Sequence, residues 1–185
     1  MKLRNLHNAV ILDTETTGLD SDAEIVEVSV IDAFDGTVLF DSLVKPQRPI
    51  PSDAIAIHGI GNHMVADAPE FGDIWPQLAQ VLSGRNLLIY NADYDTRLIE
   101  QSLKIATGES HVLPVLETFC VMEWYAEFWG DMNEFHGTYR WQKLTNAAAQ
   151  QNIDISDLSA HRALADCVIT RRLINAVNYQ LAIRS

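Results

Sequence analysis

Positive charge is scarce in this chain: across 185 residues, 13 Lys and Arg stand against 25 Asp and Glu, a net charge of −12. That balance has the wrong sign for holding long duplex DNA by counterion release. Any nucleic-acid contact must therefore be local, where a metal or a few arginines reverse the field. Cysteine is scarcer still, with Cys120 and Cys167 far apart and in no C-x-x-C pair. This excludes a disulfide framework and a zinc ribbon, and both side chains are read as reduced, buried thiols. The apolar run near the N-terminus, Ala9 to Leu12, is too short for a signal-peptide core or a membrane span, so a cytoplasmic protein without membrane association is expected. There is no low-complexity tract or internal repeat. With 48% hydrophobic and 21% charged residues, the composition is that of a globular protein, and the length fits one domain, residues 1–185, able to bury its own core.

Periodicity then places the elements. Ala9–Leu12 reads as a buried strand, and Ile25–Ile31 and Thr37–Val44 as two strands joined through Asp35-Gly36, a hairpin signal. Pro46, Pro49 and Pro51 make 45–51 an extended surface loop, after which Ser52 or Asp53 is expected to cap a short helix. Phe71, Ile74, Trp75, Leu78, Val81 and Leu82 recur at helical spacing, and Leu87–Tyr90 reads as a short buried strand. Helices are expected from near Asp93, over Cys120–Trp129, over Trp141–Gln151 and over about Ala160–Leu181, with Gly130–Tyr139 as a loop. Strands first and then strands alternating with helices indicate an α/β sheet covered by helices.

Chemistry concentrates at three acidic stations. Asp13 and Glu15 stand one residue apart where the first strand meets the turn Thr16-Thr17-Gly18. On a strand of period two, both carboxylates face the same way. Asp95 lies between the Leu87–Tyr90 strand and the following helix, at the strand end where open α/β sheets build sites. Asp166 belongs to the final helix, where Ala163 and Ala165 are small enough to let that helix approach the sheet closely. Four carboxylates in one pocket call for cations, and hard oxygen donors suit magnesium or manganese. Two such ions, about 3.5–4 Å apart, form the clamp used for in-line attack on phosphodiesters. His161 supplies an imidazole, the side chain most often used as a general base. On an ideal helix it would sit about 140° from Asp166, so it is placed in the loop or first turn.

These residues resemble the DEDD 3′→5′ exonucleases, in the subgroup with a catalytic histidine. Asp-Thr-Glu-Thr-Thr-Gly at 13–18, Asn-Ala-x-Tyr-Asp at 91–95 and His-x-Ala-x-x-Asp at 161–166 look like the three motifs of that family, in order across most of the chain. Ala56–Ile60 and Met64–Pro69 are similar to its first helix and following loop. The resemblance implies an RNase H-like fold, a mixed five-stranded sheet flanked by helices, and release of nucleoside 5′-monophosphates from the 3′ end of single-stranded DNA, DNA ends or RNA. It implies two Mg2+ ions, with Mn2+ able to substitute. Asp13 would bridge both, Glu15 and Asp166 would complete the first, Asp95 would hold the second, and His161 would deprotonate the attacking water. Thr14, Thr16, Thr17, Gly18, His58 and Asn91 would cradle the terminal nucleotide. Some members dimerise, which leaves a homodimer among the expected arrangements; a non-catalytic module serving a polymerase is the competing function.

Two departures from the family pattern are Tyr90, where many relatives have histidine, and Tyr94, where most have phenylalanine; a buried Tyr94 hydroxyl needs a partner. Trp124, Tyr125, Phe128 and Trp129 are read mainly as core, with Tyr139 or Trp141 available to substrate. Arg162, Arg171 and Arg172 are read as solvated helix charges, with Arg162 close enough to His161 to touch a phosphate.

Overall fold

The computed structural model describes residues 4–109, 113–115 and 117–184. Strand β1 (Ala9–Thr16) is followed by β2 (Ile25–Asp32) and β3 (Val38–Leu43), each antiparallel to the one before. After the short helix α1 (Ser52–His58) and helix α2 (Phe71–Leu82), strand β4 (Asn86–Ile89) returns parallel to β1. Helix α3 (Ala92–Thr107) leads to β5 (Glu117–Cys120), parallel to β4, and the sheet order is β3-β2-β1-β4-β5. Helix α4 (Val121–Trp129), strands β6 (Met132–Asn133) and β7 (Thr138–Tyr139), helix α5 (Leu144–Gln150) and the long α6 (Ala163–Arg184) complete the chain. This mixed five-stranded sheet flanked by helices is the RNase H-like architecture. No helix among the described residues is long and apolar enough to cross a membrane.

Both faces of the sheet are covered, so β1 begins as a run of buried residues rather than an alternation of buried and exposed ones. Val10 and Leu12 pack with Val28, Val30, Leu87 and Ile89 against α2 and α3. Ala9 and Ile11 point the other way, with Ile31 and Leu88, against α4 and α6. Extending that alternation along β1 sends Asp13 and Glu15 toward the α6 face, and Thr14 and Thr16 toward the α3 face. The strand thus separates the site residues before any helix docks.

Several boundaries differ from the sequence-based expectation. Pro51, extended at φ −64° and ψ 150°, occupies the N-cap of α1, and no side chain caps it; neither Ser52 nor Asp53 does so, and the Asp53 carboxylate instead accepts the Ala54 N–H at 3.0 Å. Proline's fixed φ preorganises the helix entry without a side-chain cap. Asp35-Gly36 is part of a wider turn in which Asp32 takes the amides of Phe34 and Asp35, and Gly36 adopts φ 85°. Cys120 closes β5 rather than opening a helix. Gly130–Tyr139 is not wholly a loop, since β6 and β7 pair within it. Trp141 precedes α5 and is 62% exposed. Trp129 and Tyr139 are also exposed, whereas Trp124 and Tyr125 belong to the core as expected.

Candidate active site

The acidic cluster forms where β1 runs past the start of α6. Ala163 and Cys167 on that helix are fully buried, and the Cys167 thiol lies 3.6 Å from the Ile11 carbonyl and 3.5 Å from that of Ser29. Small side chains let α6 sit this close, and its first turn carries Asp166 to the strand end. Asp13, Glu15 and Asp166 each offer a carboxylate oxygen within 4.8 Å of the others. Asp95, in the first turn of α3 and 4% exposed, approaches from the opposite face. Its Oδ1 accepts the Thr14 amide at 3.1 Å and the Thr14 hydroxyl at 2.7 Å. The residue between the two β1 carboxylates is therefore the one that anchors the third.

Burial and mutual repulsion make the ionised cluster unstable by itself. Burial first, and then Asp95, Asp166 and Glu15, hold the Asp13 carboxyl well above the usual carboxylate range. Burial, then Asp166 and Glu27, raise Glu15 to about 8. Asp95 is pushed by burial to about 7, although its bonds from Thr14 pull the other way. Asp166 is raised by burial, partly offset by the His161 amide. An all-oxygen donor set whose members resist ionisation together fits divalent cations, which would stabilise the deprotonated forms.

His161 precedes α6 in the left-handed region, at φ 62°, which is uncommon for a residue with a Cβ. Its amide donates to Asp166 Oδ1 at 3.3 Å and its side chain is exposed. The next residue corrects an expectation. Arg162 is not a solvated helix charge but lies ahead of α6, with its guanidinium on the Glu27 carboxylate. Arg171 donates to the carbonyls of Ala33 and Phe34, and Arg172 pairs with Asp157, so neither forms a phosphate track. Glu27 is not among the site residues expected from sequence; its one local signal is a glutamate inside the apolar stretch Ile25–Ile31.

Beside the carboxylates lies a cavity of about 610 Å³. Thr14, Thr16, Thr17, Gly18, His58 and Asn91, the six residues expected to cradle a nucleotide, all line it. His58 Nδ1 accepts the Ile60 amide at 3.0 Å, so its Nε2–H faces the Thr16 carbonyl at 3.2 Å. Burial lowers its pKa, and it serves as a neutral wall. Thr17 bonds Glu24 through both amide and hydroxyl. The Tyr94 hydroxyl finds its partner in the Gly18 carbonyl at 2.9 Å and lies 2.5 Å from the Thr16 hydroxyl. Tyr90 donates to the Gln142 carbonyl at 2.7 Å, away from the cluster. A larger hollow of about 720 Å³, bounded by Arg4, Asp93, Phe119 and Glu123, includes none of Asp13, Glu15, Asp95 and Asp166.

The RNase T exonuclease family matches residues 10–174, which contain every residue of this cluster. The chain belongs to that family. The exonuclease is 44% identical over 171 residues to the uncharacterized exonuclease CP81 of Escherichia phage 186, covering 91% of this chain and 87% of that protein. It is 33% identical over 170 residues to exodeoxyribonuclease 10 of Escherichia coli strain K12, covering 89% and 66%. Among solved structures, exonuclease X in complex with 5′ overhanging duplex DNA superimposes with a TM-score of 0.70 at 30% identity, over 92% of each chain. The chain is accordingly an exonuclease, a hydrolase that binds nucleic acid.

Proposed function

We propose that this exonuclease removes nucleoside 5′-monophosphates from the 3′ end of DNA, acting on single strands or duplex ends. The observation that carries the reading is the meeting of Asp13, Glu15 and Asp166 within 4.8 Å, with Asp95 held by Thr14 behind them and a nucleotide-sized cavity alongside. Asp13, Glu15, Asp95 and Asp166 would hold two magnesium ions, or manganese in their place. When bound, such a pair activates water and stabilises the leaving 3′ oxygen. His161, exposed at the mouth of the cluster, would accept the proton of the attacking water. The Thr16–Gly18 turn, fixed by Thr17, His58 and Tyr94, would orient the terminal nucleotide, with Asn91 also lining the cavity.

DNA is favoured over RNA because the solved relative at 30% identity is described with duplex DNA, and the relative at 33% is named an exodeoxyribonuclease. A net charge of −12 limits the grip to the site itself, so affinity should be modest and sensitive to salt. The free cysteines Cys120 and Cys167 are consistent with work in the cytoplasm. The deciding experiment offers 3′-labelled and 5′-labelled single strands of DNA and RNA, of one sequence, with magnesium. Release of labelled monophosphate from the 3′ end of DNA is expected. Degradation from the 5′ end, faster RNA turnover, or no metal-dependent release would overturn the corresponding part of the reading.

A further inference from the structure

Glu27 raises a problem of its own. It stands directly across from Glu15 in the β1–β2 register and is 4% exposed. Two glutamates in direct cross-strand opposition destabilise a sheet unless something intervenes. What intervenes comes from 135 residues away. Arg162 Nε donates to both Glu27 oxygens, at 3.1 and 3.0 Å, and Nη2 adds a further bond to Oε1. The Ala163 amide, at the start of α6, donates to Glu27 Oε2 at 2.9 Å. A sheet carboxylate thereby takes the place of a local N-cap on this helix and satisfies one of its first amides.

The segment so fastened carries His161. Its amide is tied forward to Asp166, while the two residues after it are tied to β2. The left-handed φ of 62° at His161 is a conformation that persists only when its surroundings impose it. The surroundings here are the Asp166 carboxylate, which takes the His161 amide, and Glu27, which holds the two residues that follow. We propose that Glu27 and Arg162 form a latch between β2 and the start of α6 that positions His161 for proton transfer. They are positioning residues, acting through His161 rather than on the substrate. The inference rests on the exonuclease reading and on the role assigned there to His161.

The test is a double-mutant cycle on release of monophosphate from single-stranded DNA with magnesium, in which coupling appears as non-additivity. Arg162→Ala and Glu27→Gln should lower kcat by about 10- to 100-fold, the scale of a misplaced catalytic group, with KM changed by less than about 3-fold. In a His161→Ala background, the same substitutions should change kcat by less than about 3-fold, because there is no longer a base to misplace. Arg162→Lys should recover part of the loss. Circular dichroism and Mn2+ titration accompany each variant; should Arg162→Ala lose its native spectrum, Arg162→Lys carries the same comparison. Equal losses in both backgrounds, or no loss in either, overturn the latch. A wild-type protein that releases no monophosphate overturns the exonuclease reading instead.

Discussion

The crowding of carboxylates makes the metal-free protein less stable as pH rises through neutrality. Asp95 and Glu15 have folded-state pKa values raised to about 7 and about 8, above those of the unfolded chain. The native state therefore binds more protons than the unfolded state between about pH 4 and pH 8, and stability falls with increasing pH across that window. From pH 6 to pH 8, Asp95 alone costs about 1.4 kcal/mol, the worth of one pKa unit. Glu15, reached in part by solvent, adds about 1 kcal/mol by pH 8. About 2–3 kcal/mol in a chain of 185 residues corresponds to a fall in Tm of roughly 5–10 °C. Burial depresses the His58 pKa and works with the opposite sign as pH drops, so Asp13→Asn provides the internal control. An amide that cannot ionise should raise the metal-free Tm at both pH values, more at pH 8 than at pH 6, and abolish turnover. Magnesium at about 100 times its Kd should return about 2.7 kcal/mol at pH 8, and less at pH 6, where protons compete for the ligands. The assay is scanning calorimetry with and without chelator. A metal-free Tm that is flat or rising from pH 6 to pH 8, or an Asp13→Asn variant less stable than wild type at pH 8, would refute the reasoning.

His161→Ala should lower kcat by about 10²- to 10⁴-fold, the usual worth of a general base, while Mn2+ titration detects unchanged binding; unaltered kcat removes its assigned role. Tyr94→Phe deletes the bond to the Gly18 carbonyl and should lower stability by about 1 kcal/mol. Its KM should rise several-fold at constant kcat, measured by steady-state release from short DNA. Thr14→Val removes the 2.7 Å donor to buried Asp95, which should cost about 1–3 kcal/mol of stability and weaken magnesium activation, read by melting and by metal titration.

Local pattern revealed what local pattern creates. Asp13 and Glu15 were legible as a pair because a strand has period two, and the small residues around Asp166 announced a helix that could sit close to the sheet. β5 has no local signature because its four residues, Glu117–Cys120, are half-buried or exposed; pairing with β4 makes it a strand, and that pairing is not local. The two-residue strands β6 and β7 have too few residues to show any period. Arg162 and Glu27 are illegible from sequence for one shared reason. Each looks ordinary in its own neighbourhood, and the partner that gives it meaning is 135 residues away. The Tyr94 hydroxyl was flagged by its need for a partner, but that the partner is the backbone of the Thr16–Gly18 turn depends on how α3 packs beside β1.

The cluster is assembled from β1, from the first turn of α3 and from the first turn of α6, so Asp13 and Asp166 meet only after the intervening chain has folded. Local helices and hairpins can form early, yet none of them holds more than part of the carboxylate set. Hydrolysis is therefore a late reporter of folding. Loosening α6 by denaturant or by a nick before it should silence the enzyme while most of the sheet's circular dichroism signal survives. A nuclease built this way carries its own safeguard, since incompletely folded chains are harmless to the nucleic acid around them.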